Sequence, residues 1–482
     1  MSPTTTAEPE YCAGPPAILE SAMSRRHTRT PTSIFVPPRF APVELAPLPE
    51  LQAAAAAAPT VRRLRALVEW LGEGRRLTAA GNLTLADGKE LARLLGLVDP
   101  DRLVGPGVRS ARDIPGVELL VGWAKQLHLA RVQKGRLVPV EQHPRLLDDP
   151  LDLCRQAVSV LPLLLPGLPI TDVIGSSFPG GLAEALLHLL SQLYLSSEPV
   201  TAGELAVHFW EGHVEPLLDE AASRPELWRL ATAFEVTQQL SLLWGLGMVE
   251  VSDESGAQVT EVYLSALAEV GLRLTPLGSW CANVLLRTAG AVAPVIGELA
   301  EADVATLIEG LSGYGERAYR AELRAWCLEH GPGAVRELAG YARAAPGFHQ
   351  RLRAFAGLRE AGPAAEAEVR SMLADSELRP YAQLWLTGQG LEDPSFLDPD
   401  SAGVLLAEKL ASVLKESGPD ALVELLEQVG RQVDQAVVLA RMWRAKTPGA
   451  AAVLEAAGKT HPDPQVANAA RKAAFKLRSS RS

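Results

Sequence analysis

At 482 residues the chain is too long for one ordinary core, and its net charge of −11 disfavours nonspecific affinity for DNA, which depends on cations neutralising phosphates. It has 47% hydrophobic, 21% charged and only 5% aromatic residues, which fits a globular, mainly helical protein of about three domains. No apolar run reaches the ~18–20 residues that cross a bilayer, and the longest, 158–168, is interrupted by Pro162 and Pro166.

Near the start, Arg25, Arg26 and Arg29 precede a proline-rich stretch rather than the apolar core of a leader, so a cytoplasmic protein without a membrane partner is expected. Cys12, Cys154, Cys281 and Cys327 form no CxxC pair. They are expected to be small, reduced core residues, and no metal or cofactor is assigned.

Residues 1–59 read as an irregular Pro/Thr-rich arm. It carries a basic cluster (Arg25, Arg26, His27, Arg29) and the segment Ile34-Phe35-Val36-Pro37-Pro38-Arg39-Phe40. That segment is either part of a loose leader or an extended strip that docks into a groove.

Residues 60–145 read as a first winged-helix-like unit. Val61, Leu64, Val68 and Leu71 repeat at helical spacing, as do Leu91, Leu94 and Leu95 after a turn at Ala86-Asp87-Gly88. Leu119, Leu120, Trp123 and Leu127 mark a third helix. A β-hairpin follows, with strands Leu129-Ala130-Arg131-Val132 and Arg136-Leu137-Val138-Pro139-Val140 around Gln133-Lys134-Gly135.

Residues 146–181 read as a linker containing the loop Gly175-Ser176-Ser177-Phe178-Pro179-Gly180-Gly181. Residues 182–289 repeat the order as a second winged-helix-like unit. Leu186, Leu187, Leu190 and Leu193 mark its first helix, and Thr201 with Glu204 forms a capping-box pattern ahead of the second. A third helix covers 227–246. Strands at 248–251 and 272–275 flank a polar tip with Asp253, Glu254 and Gly256. The echo of Arg76-Leu77-Thr78-Ala79-Ala80-Gly81 in Arg273-Leu274-Thr275-Pro276-Leu277-Gly278 suggests duplication.

From 290 to 482 the pattern is helix upon helix: 302–311, 318–329, 334–342, 348–361, 364–373, 403–415, 422–429, 436–443, 450–457 and a last helix from Pro464. Paired helices that cannot bury their apolar faces alone stack into an α-solenoid, here HEAT-like rather than strictly periodic. The fold class expected is therefore mainly α, tandem winged-helix-like units followed by a HEAT-like α-solenoid.

The span 61–162 resembles a segment of uncharacterised actinobacterial proteins. The resemblance rests on Leu67-Val68-Glu69-Trp70-Leu71-Gly72, Leu77-Thr78-Ala79-Ala80-Gly81-Asn82-Leu83-Thr84-Leu85-Ala86, Trp123-Ala124-Lys125, Gly135-Arg136-Leu137-Val138-Pro139-Val140 and Asp149-Pro150-Leu151-Asp152-Leu153. In those proteins the segment often precedes a domain first described from a plasmid open reading frame. Here helical repeats follow instead, and the resemblance implies a family without implying an activity.

Charge divides unevenly. Residues 60–145 hold 15 Lys and Arg against nine Asp and Glu, whereas 146–300 hold five against 19. The candidate DNA contacts are Arg109, Arg112, Lys125, Arg131, Lys134 and Arg136, around the third helix and wing of the first unit. The second unit offers Arg224, Arg229, Gln238, Gln239 and Trp244 on its third helix beside an acidic tip, which suits protein docking better than a duplex.

Catalytic patterns are weak. His208-Phe209-Trp210-Glu211-Gly212-His213 misses the H-x-x-E-H spacing, although Glu204, His208, Glu211 and Glu215 would share a face of one continuous helix. There is no G-x-x-x-x-G-K-[ST] loop and no G-x-S-x-G elbow. The expectation is a non-enzymatic scaffold that binds another protein. A DNA-binding regulator acting through the first unit is the alternative, and an enzyme whose site is not visible in sequence is the third reading.

Overall fold

Helix starts are written locally. Thr84, Asp149, Thr201, Thr275, Asp303, Asp434, Thr447 and Asp463 each accept a backbone N–H of the turn they precede. Each satisfies donors that a helix cannot pair internally. The computed structural model describes residues 39–97, 109–114, 116–140, 144–164, 182–196, 198–215, 225–252, 270–345, 347–430, 434–445 and 447–480. The chain is mainly helical and divides into two units, one of Met1–Ala41 and Leu45–Ala293, the other of Pro42–Glu44 and Pro294–Ser482.

In the first unit, α1 (Leu48–Ala57) leads into α2 (Pro59–Leu71), β1 (Arg75–Arg76), α3 (Leu85–Leu94), α4 (Val117–Gln126), β2 (Ala130–Gln133) and β3 (Arg136–Pro139). The short helices α5 (Pro144–Asp148), α6 (Pro150–Ser159) and α7 (Leu161–Leu164) follow. Then come α8 (Leu182–Leu195), β4 (Val200–Thr201), α9 (Ala202–Phe209), α10 (Pro225–Gly245), β5 (Val249–Ser252), β6 (Gly271–Leu274) and α11 (Pro276–Thr288). The order helix, strand, helix, helix, strand, strand thus occurs twice. Each copy has an antiparallel three-stranded sheet with its last strand in the middle, β1-β3-β2 and β4-β6-β5.

One continuous apolar core runs from Leu51 to Leu285 through both copies. The expected linker 146–181 is not a spacer over its described part. On α6, Leu151, Leu153, Cys154, Ala157 and Val158 are buried, and the Trp123 indole donates to the Ala157 carbonyl at 2.9 Å. Pro150 occupies the first turn of α6 behind the Asp149 cap, where a missing N–H costs nothing. The glycine-serine loop 175–181 lies outside the described residues.

The expected irregular arm 1–59 likewise ends in structure. Residues 1–38 lie outside the described residues, but Phe40 is buried edge-on against Tyr194, and α1 buries Leu51 and Ala55. The turn expected at Ala86-Asp87-Gly88 is the first turn of α3, capped by Thr84. The Arg-Leu-Thr echo joins unlike places: Arg76 ends β1 on the way to α3, whereas Arg273 lies within β6 and Thr275 caps α11. It carries no argument for duplication, and the matched topology does.

In the second unit, Val43 pairs in parallel with Val295, and the Ile296 N–H donates to the Val43 carbonyl at 2.8 Å. The helices are α12 (Val304–Gly310), α13 (Glu316–His330), α14 (Gly333–Ala344), α15 (Phe348–Glu360), α16 (Glu366–Ser371), α17 (Arg379–Gly388), α18 (Pro399–Gly430), α19 (Gln435–Met442), α20 (Pro448–Thr460) and α21 (Pro464–Ser479). Two apolar clusters hold them: one between Leu307 and Leu405, the other between Ala407 and Leu477. The helices expected at 403–415 and 422–429 are the two halves of α18, broken where Gly418 takes φ 83° before Pro419. Helix α17, not anticipated, carries the buried Tyr381 and Trp385.

Candidate nucleic-acid interface

The first sheet is where register collects charge. Arg75 pairs with Leu137 and Arg76 with Arg136 across β1 and β3, while Arg131 pairs with Val138 and Gln133 with Arg136 across β2 and β3. Side chains alternate along a strand and paired residues share a face. Arg76, Arg136, Gln133 and Arg131 therefore stand on one face, and Leu137, fully buried, on the other with Ala130. Lys134 and Gly135 close the hairpin with φ 49° and 71°, the type I′ geometry that matches strand twist. Arg76, Arg131, Lys134 and Arg136 are all exposed.

Two details fix this face. An Arg136 guanidinium N–H donates to the Gly74 carbonyl. Gly74 itself takes φ 104°, and a Cβ there would sit 2.6 Å from Val138 Cγ1, so the chain entering β1 passes against β3 as only glycine permits.

Of the residues expected to touch DNA, the fold brings Arg131, Lys134 and Arg136 together on one hairpin, while Arg109 and Arg112 belong to the turn before α4 and Lys125 to α4 itself. Arg109 contributes its backbone N–H to the Asp113 carboxylate at 2.9 Å; this bond and that from Ser110 hold the Asp113 carboxyl below the usual carboxylate range. Arg112 is ion-paired with Glu118 at 2.8 Å, and Lys125 is half-buried in the last turn of α4. Arg76, which completes the row, was missed because a two-residue strand leaves no alternation to read.

Helix α4, expected at the reading position, offers little surface. Val117, Leu120, Trp123 and Ala124 are buried, and a Cβ at Gly122 would lie 3.2 Å from Leu164 of α7. Only Glu118 and Gln126 of α4 are exposed. Much of the other positive charge of this region is engaged internally. Arg63 donates to the Leu95 carbonyl at 3.3 Å, Arg65 to that of Leu147, and Arg75 lies 4.1 Å over the Trp70 ring.

The second copy differs in kind. Helix α10 exposes Leu230 (68%) and, one turn on, Phe234 (37%), and α9, packed against it, exposes Val207 (53%). Arg229 faces Glu215 at 3.7 Å and the Trp210 ring at 5.1 Å, and Arg273 is paired with Glu250. Gln239 is buried and Gln238 and Trp244 are partly so; Arg224 and the tip holding Asp253, Glu254 and Gly256 lie outside the described residues.

The acidic and histidine row expected on α9 does not form. The helix ends at Phe209 and continues as a wide π-turn, Trp210–Val214, whose extra residue takes Glu211 and Glu215 out of register with Glu204 and His208. Glu204 is held by its cap, accepting the Thr201 N–H at 2.8 Å and lying below the usual carboxylate range as a result. Among the described residues no group of three or more His, Cys, Asp and Glu is placed to hold a metal.

The described cysteines are buried: contact with the Cys154 thiol, then burial, pushes the Cys281 thiol well up, and burial raises that of Cys327 to about 11. Both are poor nucleophiles near neutrality. Among the described residues no helix is long and apolar enough to cross a membrane.

No family model matches the chain, and no curated protein and no solved structure matches it.

Proposed function

We propose that the chain is a non-catalytic scaffold that docks another protein. Its first unit is read as tandem winged-helix-like modules, a reading supported by the repeated element order and by the central position of each last strand. Its second unit is read as a HEAT-like α-solenoid, supported by packed helix pairs such as α14 with α15 and α20 with α21.

The observation that carries the docking role is the surface of α10. At the position where a winged helix meets its ligand, this helix offers Leu230 and Phe234, and α9, which packs against it, exposes Val207. Apolar and aromatic side chains anchor protein interfaces and gain nothing from a phosphate backbone. A photo-crosslinking residue placed at Leu230 in the native host is expected to trap one discrete protein. A yield no greater than from the same residue at exposed Gln52 would reject the proposal.

A second reading, a DNA-binding regulator working through the first winged-helix-like module, is favoured by the exposed cations on the first sheet.

A further inference from the structure

We infer that the exposed face of β1, β2 and β3 is a site for the phosphodiester backbone of duplex DNA, working through the sheet and its turn rather than through a reading helix. The inference rests on the DNA-binding reading and changes both its residues and its specificity.

Arg76 and Arg136 are neighbours across β1 and β3, Arg131 stands diagonally on β2, and Lys134 projects at the turn. Adjacent strands lie about 4.8 Å apart and every second residue along a strand about 6.7 Å, so Arg76 and Arg136 are about 5 Å apart and the diagonal Arg131 about 8 Å from Arg136. A DNA strand carries one charge per about 3.4 Å of helix axis, and a row of this size meets three to four phosphates.

The face carries no carboxylate: its other members are Gln133, a hydrogen-bonding partner for phosphate or sugar oxygens, and Val138. Arg131 and Lys134 make no ion pair among the described residues, and the bond from Arg136 to the Gly74 carbonyl orients that guanidinium while leaving other N–H groups available. The face also lacks an aromatic anchor, unlike α10, which separates it from a protein-docking surface.

Specificity follows from what is missing. Base edges are read by side chains on an element inside a groove, and α4 has only Glu118 and Gln126 exposed. Contacts to phosphate alone position a duplex without reading its sequence. The site therefore holds duplex DNA irrespective of sequence. Its affinity is modest because residues 146–300 hold 19 acids against five bases.

The test uses the full chain and fluorescently labelled 20-base-pair duplexes of unrelated sequence, with anisotropy read between 50 and 200 mM salt. Four phosphate contacts predict a slope of log K against log salt near −3.6, and so a loss of about a hundredfold across that range. The double variant R131E/K134E, which disturbs no internal hydrogen bond, is expected to weaken binding at least tenfold, lower the slope by about two and leave thermal melting unchanged. The addition of R76E is expected to weaken binding further.

If binding survives R131E/K134E but is lost in R109E/R112E/K125E, the DNA reading stands and the sheet face is the wrong site. If no duplex binds at 50 mM salt, both fail. Tighter binding of polyglutamate than of duplex would replace DNA with an acidic protein as the ligand and overturn the inference.

Discussion

Gly278 shows how much a single missing side chain decides. A Cβ there would lie 1.8 Å from the Met248 carbonyl oxygen, so the start of α11 rests directly on the end of the loop that leads into β5. The same carbonyl accepts the Thr275 N–H at 2.9 Å. Gly278→Ala is expected to destabilise the first unit by about 3 kcal/mol, read as a fall in the midpoint of denaturant unfolding. An unchanged midpoint would mean that α11 does not sit there.

Glu235 makes a separate prediction. It is buried on α10 one turn before Gln239, and burial raises its carboxyl above the ordinary range. A raised folded value means that the unfolded chain ionises first, so stability is lost as pH rises through the window between the ordinary and the raised values. Glu235→Gln removes that loss: the variant should melt with wild type near pH 4 and above it near pH 7. Equal melting at both would show that Glu235 reaches solvent or a cation. Neither residue was legible beforehand, because a glycine that must be bare and a carboxyl that must be buried are defined by neighbours distant in sequence.

At the scale of elements, what could be read was what is encoded locally. Thr201 and Glu204 were expected as a capping box and form one, and the hairpin at Lys134-Gly135 was expected from its glycine. What could not be read depends on tertiary contact: β1 is two residues long, α6 begins with a proline, and α17 has Pro380 in its first turn. The register of β1 against β3 is what adds Arg76 to the candidate site.

The turn allows charge to be separated from fold. Lys134 occupies φ 49°, which asparagine adopts more readily than lysine. Lys134→Asn should stabilise the hairpin by about 0.5 kcal/mol in thermal unfolding and still weaken duplex binding. A variant that is both more stable and as tight on DNA would remove Lys134 from the contact. In the second copy, Thr201→Ala is expected to cost about 1 kcal/mol by loss of the cap, checked by equilibrium unfolding.

Across the whole molecule, the two copies of one topology share a core yet present different chemistry. The first displays Arg76, Arg131, Lys134 and Arg136 on its sheet, and the second displays Leu230 and Phe234 on its third helix. The order of the helices and of the two wing strands in each copy was legible because helical and strand periods alternate with glycine and proline signals; the first strand of each copy was not. The division into units was not, because α1 and α6 bury their apolar sides in the same core as both copies.

The most direct test of the scaffold reading is quantitative affinity capture from the native host at endogenous level. Wild type and L230E/F234E are compared, each with and without nuclease. The account predicts a discrete protein partner that persists after nuclease and falls at least tenfold in the variant. Partners that vanish with nuclease, or that the variant retains in full, would contradict it.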